Sequence, residues 1–498
     1  MDDLPGEILD WVAQKMVETG TPGVSISIFQ DSAPTFTKTI GLRDVANQLP
    51  ITPETVFRVG SISKLFTTLA FLTLWNQGKV GLDDEVNNYL PGFKIKYKDA
   101  NSPPVTFRHL LTHRSGIRDL IKLRHIFNRY AGGGVPIGAK IPTWGEMYAG
   151  GVPCEIYPDQ KFAYCNHAFV LIGVVIEEIT GKCYADYVRE LILTPTHMND
   201  SSFERAEINE DLLAKGYNWK GREIRDSLST VGPAGGLFST TPDLAKFGQM
   251  LLAGGINEAG ELVVEKRAID AAWNPVYRPD PKMQGYGLGF MLKDVGGHPL
   301  VYHGGLTWGF ISQFFLAPED QVGVVVLANG SRFAPEDASH RIFKELVGVE
   351  DLHPEITKVP QNIAKQICGE YGPFRGGVVT NTRFYMGFGG YVKVSRRRDG
   401  NLYFSAQWTH KKGDKMLMID RDDPLHFLLE NNDVAFQKQV GFNILEENPA
   451  SKKMGVTLLP YLFGPFVAQK RSWGDQVRSL PLKMLLSIGG KFIKDTIP

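Results

Sequence analysis

The stretch R-V-G-S-I-S-K-L-F, Arg58 to Phe66, opens a run of apolar residues at helical spacing. Leu65, Phe66, Leu69, Ala70, Leu72, Leu74 and Trp75 predict a helix from Lys64 to Gln77, and Gly78 supplies the glycine that commonly ends one. Two readings are open at its start. In the plain one Ser61 caps the helix and Lys64 lies on the surface. In the other Ser61 is a nucleophile and Lys64 its base. Three residues apart at a helix start, both side chains share a face, one turn apart, while Ser63 points elsewhere. The helix N-terminus favours negative charge developing nearby. Its partial positive charge, with desolvation, would also make Lys64 a better proton acceptor near neutrality. S-x-x-K is short enough to arise by chance, so the rest of the chain decides.

Two further strings bear on it. Tyr164-Cys165-Asn166 follows a Pro-containing loop and precedes the helical run from Phe169 to Ile176. A tyrosine and an asparagine two apart at a loop-to-helix junction can face one site, and a tyrosinate beside a cation is a usable base. Read alone, it is equally a helix cap with a packed tyrosine. Tyr302-His303-Gly304-Gly305-Leu306-Thr307-Trp308-Gly309-Phe310 precedes a hairpin. Its glycines let backbone approach a ligand, which supplies N–H groups for an oxyanion hole beside His303. Its plain reading is a Gly-rich turn.

Working outward, helical spacing from Ile8 to Val17 is followed by alternating Val24 to Phe29, a turn at Asp31 to Pro34, and a second strand near Phe36 to Ile40. The middle of the chain, to about Asn274, reads as helices and long loops, among them a Gly- and Pro-rich stretch from Tyr130 to Pro153 that resembles a loop over a site. From Gly285 strands return. Ile311 to Ala317 and Val322 to Ala328 flank the turn Pro318-Glu319-Asp320, the second strand apolar throughout. Strands at both ends with helices between predict an α/β (α+β) domain over 1–350 whose antiparallel sheet is built from both of its chain ends. After Pro354, short strand candidates at Glu370–Gly372, Tyr391–Val394, Asn401–Phe404 and Leu425–Leu429 predict an all-β domain over 351–498.

Composition excludes several classes. The 498 residues carry 54 basic and 54 acidic side chains, so no charge excess points to nucleic acid or an anionic membrane. The basic run Arg396-Arg397-Arg398 reads as a solvated turn or strand edge. Four cysteines, Cys154, Cys165, Cys183 and Cys368, lack metal-ligand spacing. His109 and His113 stand at i and i+4, but without the Glu of H-E-x-x-H they read as structural, and no metal or other cofactor is expected. There is no G-x-S-x-G, phosphate loop or Rossmann fingerprint. Acidic Met1 to Asp10 shows no signal peptide and no apolar run spans a bilayer, so a reduced, cytoplasmic setting without a membrane anchor is expected. The basic, amphipathic Pro481 to Lys494 is expected as a packed terminal helix. Neither a monomer nor a homo-oligomer is excluded.

In their order and spacing these strings resemble the serine β-lactamase and penicillin-binding-protein superfamily, most of all its class C β-lactamase, D-alanyl-D-alanine carboxypeptidase and esterase branch. Val56 to Lys64, Leu110 to Ile117, Tyr164 to Asn166, Gly232 to Thr240, and His303 to Gly305 with the strand that follows carry the likeness across about residues 10 to 335. The resemblance implies that Ser61 carries an acyl group, that Lys64 and Tyr164 handle its proton, and that Asn166 contacts substrate and Lys64. It implies an oxyanion hole from the backbone N–H of Ser61 and one near Leu306, with His303, Gly304, Gly305 and Trp308 in the substrate wall. The part after Ile356 is similar to the lipocalin-like domain of some D-aminopeptidases. Where β-lactamases of this branch carry K-T-G, this chain has His303-Gly304-Gly305, and a histidine at that position resembles the peptidase and esterase branch. The missing lysine, which would bind a substrate carboxylate, argues against β-lactam turnover. Cys165 stands where serine or alanine is usual, a change of little size. Trp308 and the 130–153 loop imply an apolar acyl group or a bulky small molecule. The expected activity is hydrolysis of a small-molecule ester or amide. Acyl transfer to an alcohol, D-aminopeptidase action, and an inactive binding protein on the same fold are the alternatives.

Overall fold

The structure is a computed structural model. It describes residues 4–30, 35–117, 134–160, 162–218, 220–278, 285–350, 359–372, 392–405, 414–418, 426–430, 439–445, 453–458 and 466–470. The expected terminal helix of Pro481 to Lys494, the turn at 31–34 and the first part of the 130–153 loop lie outside them. The chain divides into two compact units, Met1–Tyr277 with Tyr286–Gly348, and Arg278–Gly285 with Val349–Ile497.

The first unit opens with α1 (Gly6–Thr19), which buries Ile8, Val12 and Met16 and ends on Gly20 in the left-handed conformation that glycine adopts freely. Strands β1 (Gly23–Gln30) and β2 (Phe36–Asp44) pair antiparallel, Val24 opposite Ile40 and Ile28 opposite Phe36. They join a short β3 (Leu49–Pro50) to strands from the other end of the unit: β4 (Gly285–Tyr286), β5 (Met291–Val295), β6 (His298–Thr307), β7 (Phe310–Ala317) and β8 (Val322–Ala328). The eight strands lie in the order β4-β5-β6-β7-β8-β1-β2-β3. Chain ends meet where β1 pairs β8, Val24 opposite Ala328 and Gln30 opposite Val322. Every residue of β7 and β8 is buried, which explains why neither alternates polar with apolar.

Helices cover this sheet. The helix α4 (Thr241–Leu252) packs on β1 and β8, and α5 (Pro335–Val347) on β7 and β8. Gly248 of α4 and Gly323 of β8 both lie against the Phe29 ring, where a Cβ would collide with it. Between the two halves of the sheet, the chain builds the helical part around α2 (Ser63–Asn76). Leu65, Phe66, Leu69, Ala70, Phe71, Leu72 and Leu74 are all buried, so α2 is apolar on every side and is the central helix. Each such leucine or phenylalanine contributes about 1.5–3 kcal/mol on burial. Together they outweigh the several kcal/mol that it costs to bury one ammonium group, that of Lys64, in the same helix. Packed on α2 is α3 (Asn166–Thr180), buried from Ala168 to Ile176.

In the second unit eight strands, Gly369–Gly372, Val392–Arg396, Leu402–Ser405, Asp414–Met418, His426–Glu430, Gln439–Leu445, Lys453–Leu458 and Phe466–Lys470, pair in sequence order and close into a barrel. Closure is made by the first and last strands, Tyr371 opposite Lys470. Val394, Leu402, Phe404, Phe427 and Leu429 are buried at alternate positions, as a barrel wall requires, while Met416, Leu417 and Met418 are buried in succession.

Candidate active site

Ser61 sits in a 3-10 turn, Gly60–Ile62, that runs directly into α2. The helix proper begins at Ser63, so Ser61 is not its cap. Ser63 has a structural task instead: its hydroxyl donates to Gly60 O at 2.6 Å and accepts from the Leu237 N–H at 3.0 Å. Gly60 has φ 53°, and a Cβ there would lie 3.0 Å from the backbone nitrogen of Leu306. A Cβ on Gly305 would overlap the Val59 carbonyl oxygen, and Ser312 Oγ donates to that same oxygen at 2.9 Å. The two glycines therefore let the nucleophile turn press against β6, which brings the Ser61 and Leu306 backbones together.

Lys64 Nζ donates to Ser61 Oγ at 2.9 Å, Asn166 Oδ1 at 2.8 Å and Ala234 O at 2.7 Å. All three of these acceptors are uncharged. Tyr164 OH donates to Ser61 Oγ at 2.9 Å, and Lys64 Nζ lies 4.9 Å from the Tyr164 ring centroid. Ser61 is 7% exposed, Tyr164 3% and Lys64 0%, and Asn166 is partly exposed, so the lysine is the member shut off from solvent. Lys64 and Tyr164 thus both donate to the Ser61 hydroxyl, and Asn166 joins the cluster through Lys64. Asn166 is the first residue of α3, which aims its amide at Lys64 from the helix start. The Ala234 carbonyl comes from the short turn Gly232–Gly235, held to α2 by Thr67 Oγ1 donating to Pro233 O at 2.5 Å. No side-chain type marks a carbonyl in sequence, so this ligand of the lysine was not predicted.

His303 is fully buried in β6 with Nδ1 2.6 Å from Gly304 O, an acceptor, so that nitrogen carries the proton. Burial first and nearby Lys64 second push its pKa down to about 3, which leaves the imidazole neutral. Gly304 and Gly305 are also buried, while Leu306, Thr307 and Trp308 are partly exposed. Thr307 and Trp308 line a cavity of about 260 Å³ with Arg58, Arg205, Arg225 and Asp226. Arg58 and Arg205 both pair with Asp226. The wall beside Trp308 is therefore mixed in character rather than the apolar surface that Trp308 alone implies.

His113 is the residue that sequence reading undervalued. Among the described residues no group of His, Cys, Asp and Glu is arranged to hold a metal ion; His109 Nε2 lies 3.2 Å from Asp159, while His113 faces the other way. It is fully buried with its ring 4.1 Å from that of Tyr164. No helix among the described residues is long and apolar enough to cross a membrane.

Comparison with known proteins agrees with this geometry. The chain is 27% identical to the octameric penicillin-binding protein homologue from Pyrococcus abyssi, with a TM-score of 0.62 over 93% of this chain and 99% of that one. It has the fold of the D-amino acid amidase from Ochrobactrum anthropi SV3, at 23% identity and a TM-score of 0.54 over 68% of this chain and all (100%) of that one. It is 25% identical over 340 residues to Protein flp of Staphylococcus aureus (strain COL), which covers 67% of this chain but only 65% of that relative's length. The Beta-lactamase family model matches residues 8–348, a span that holds every residue of the cluster from Ser61 to Trp308, and the chain belongs to that family of serine hydrolases.

Proposed function

We propose that the protein cleaves an ester or amide bond of a small molecule through an acyl-enzyme on Ser61. The observation that carries this reading is that Ser61 Oγ accepts from Lys64 Nζ and from Tyr164 OH, each at 2.9 Å. A serine hydroxyl attacks only if its proton leaves, and both neighbours lie within transfer distance. In the reacting form the pair is one proton short, with Tyr164 as a phenolate beside the Lys64 ammonium, and Ser61 Oγ adds to the carbonyl carbon while its proton passes to Tyr164. The carbonyl oxygen becomes an oxyanion held by the N–H groups of Ser61 and Leu306. Tyr164 then protonates the departing alcohol or amine as the carbon–leaving-group bond breaks. Water, deprotonated by the same pair, adds to the acyl carbon and releases the acid and free Ser61. Asn166 and Ala234 O hold Lys64 in place throughout. His303, neutral and buried, shapes the wall behind the oxyanion position without adding charge there.

A hydrolase domain over 1–350 with a barrel-shaped accessory domain over 351–498 is part of this proposal. So is homo-oligomer assembly, which the octameric Pyrococcus abyssi neighbour supports.

The test uses p-nitrophenyl esters with short, long and polar acyl groups. Turnover by the wild-type protein that disappears in Ser61→Ala supports the reading, and no turnover of any ester overturns it. Added alcohols or amines divide the outcomes further. Acyl transfer to an alcohol in preference to water would make the protein an acyltransferase using the same acyl-enzyme.

A further inference from the structure

We propose that His113 is the positioning residue that fixes Tyr164 for proton transfer. This rests on the reading of Tyr164 as the group that takes and returns the Ser61 proton.

Tyr164 lies in a loop just ahead of α3, and loops place side chains less sharply than helices do. One residue compensates. The His113 carbonyl accepts the Ala163 N–H at 2.8 Å, and His113 Nδ1 accepts the Cys165 N–H at 3.1 Å. The chain is thus gripped immediately before and immediately after Tyr164. The imidazole itself lies over the Tyr164 ring, centroids 4.1 Å apart and planes 31° from parallel. Phe162, Phe169 and Tyr286 surround the imidazole at 5.8, 5.2 and 5.3 Å, so it has little freedom to turn.

His113 can do all this because of its backbone. It follows the short helix Phe107–Leu111 and has φ 56°, the left-handed region that histidine, asparagine and aspartate tolerate better than most side chains. That conformation turns carbonyl and side chain together toward the 163–165 segment. The chain ahead of that segment is laced to the residues after His113, Asp159 N–H to Arg114 O at 2.9 Å and Glu155 N–H to Gly116 O at 3.0 Å. The stretch T-H-R-S-G is therefore the spine on which the Tyr164 loop is hung.

Acceptance at Nδ1 requires a neutral ring with its proton on Nε2. Burial, then the charge of Lys64, then His303, all disfavour the imidazolium. Among the described residues, the titratable groups around the ring are Lys64, His303, Tyr164 and Tyr286, none of them a carboxylate that would favour protonation.

His113→Asn tests the role. Asparagine tolerates the left-handed backbone and can place Oδ1 where Nδ1 was, but lacks the ring over Tyr164. His113→Ala removes both. The readouts are kcat and KM for a p-nitrophenyl ester in wild-type and Tyr164→Phe backgrounds, with thermal unfolding of each variant. We expect kcat to fall at least about tenfold in His113→Asn and further in His113→Ala, with KM within about twofold, since misplacing a proton-transfer group acts on chemistry rather than binding. In the Tyr164→Phe background the same His113→Asn change should cost less than about twofold, because the group it positions is gone. An equal loss in both backgrounds, or a loss that appears in KM alone, would overturn the proposal. If His113→Ala does not fold, the His113→Asn cycle alone decides. Should Tyr164→Phe leave kcat unchanged, it is the role of Tyr164 that fails.

Discussion

The site turns on single contacts whose loss has distinct signatures. Tyr164→Phe removes a hydroxyl 2.9 Å from Ser61 Oγ, and kcat should fall by at least about a hundredfold, the range for losing general acid–base help. Steady-state kinetics on an activated ester checks it, and unchanged kinetics would move the proton to Lys64 alone. Gly305→Ala has a different cause. Its Cβ would overlap the Val59 carbonyl, which is backbone and cannot swing aside. The variant should lose about 1–3 kcal/mol of stability by overpacking and lose turnover as the Ser61 turn is pushed off β6. Chemical unfolding and the same ester assay read both; wild-type values would show that the close approach of turn and strand is not needed. The Ser61, Lys64, Tyr164 and Asn166 cluster was legible because each position needs a particular side chain in a recognisable local setting. The Ala234 carbonyl and the grip of His113 on residues 163–165 were not, since one is backbone and the other depends on a contact about fifty residues away in sequence.

Local elements followed their sequence signals closely where those signals are physical. Gly20 and Gly78 stop α1 and α2 with positive φ, and the apolar run Val322 to Ala328 became a strand buried along its whole length. The α-helix begins at Ser63, one residue before the expected Lys64, and a 3-10 turn over Gly60–Ile62 precedes it, where Gly60 has a positive φ and its missing Cβ leaves room for the Leu306 backbone. Ser61 and Lys64 still face one site, because i to i+3 residues eclipse in a tighter turn. Thr67 ties α2 to the turn that supplies the Ala234 carbonyl. Thr67→Val should therefore weaken the seat of Lys64 and lower kcat by about three- to tenfold, the effect of a lost hydrogen bond of about 1 kcal/mol. An ester assay showing no change would separate α2 packing from the lysine's placement.

At the scale of the molecule, three histidines among the described residues of the first unit, His113, His303 and His340, are buried in their neutral forms. Burial is the first cause in each case. An unfolded histidine takes up its proton near 6.5, whereas folded His303 does so only near 3. Stability is therefore whole above about pH 6.5 and drains away as pH falls toward the folded values. Each histidine adds a slope of up to about 1.4 kcal/mol per pH unit in that window. Denaturant unfolding at pH 7, 6, 5 and 4 should show this loss, and His340→Asn, remote from Ser61, should flatten it by about one proton. A pH-independent unfolding energy, or an unaltered slope in that variant, would contradict it. The joining of β1 to β8 was readable from strands at both ends of the first unit, and a barrel-like second domain from its likeness to lipocalin-like domains; the number of strands and the pair that closes them were not, since closure is a property of pairing partners rather than of any one strand.

The central claim is that Ser61 carries the acyl group, and a fluorophosphonate that mimics the tetrahedral species tests it most directly. Intact-mass measurement of the full chain should show one phosphonyl adduct on the wild-type protein, assigned to Ser61 by peptide mapping, and none on Ser61→Ala. An unmodified wild-type protein, or an equal adduct on the Ser61→Ala variant, would contradict it.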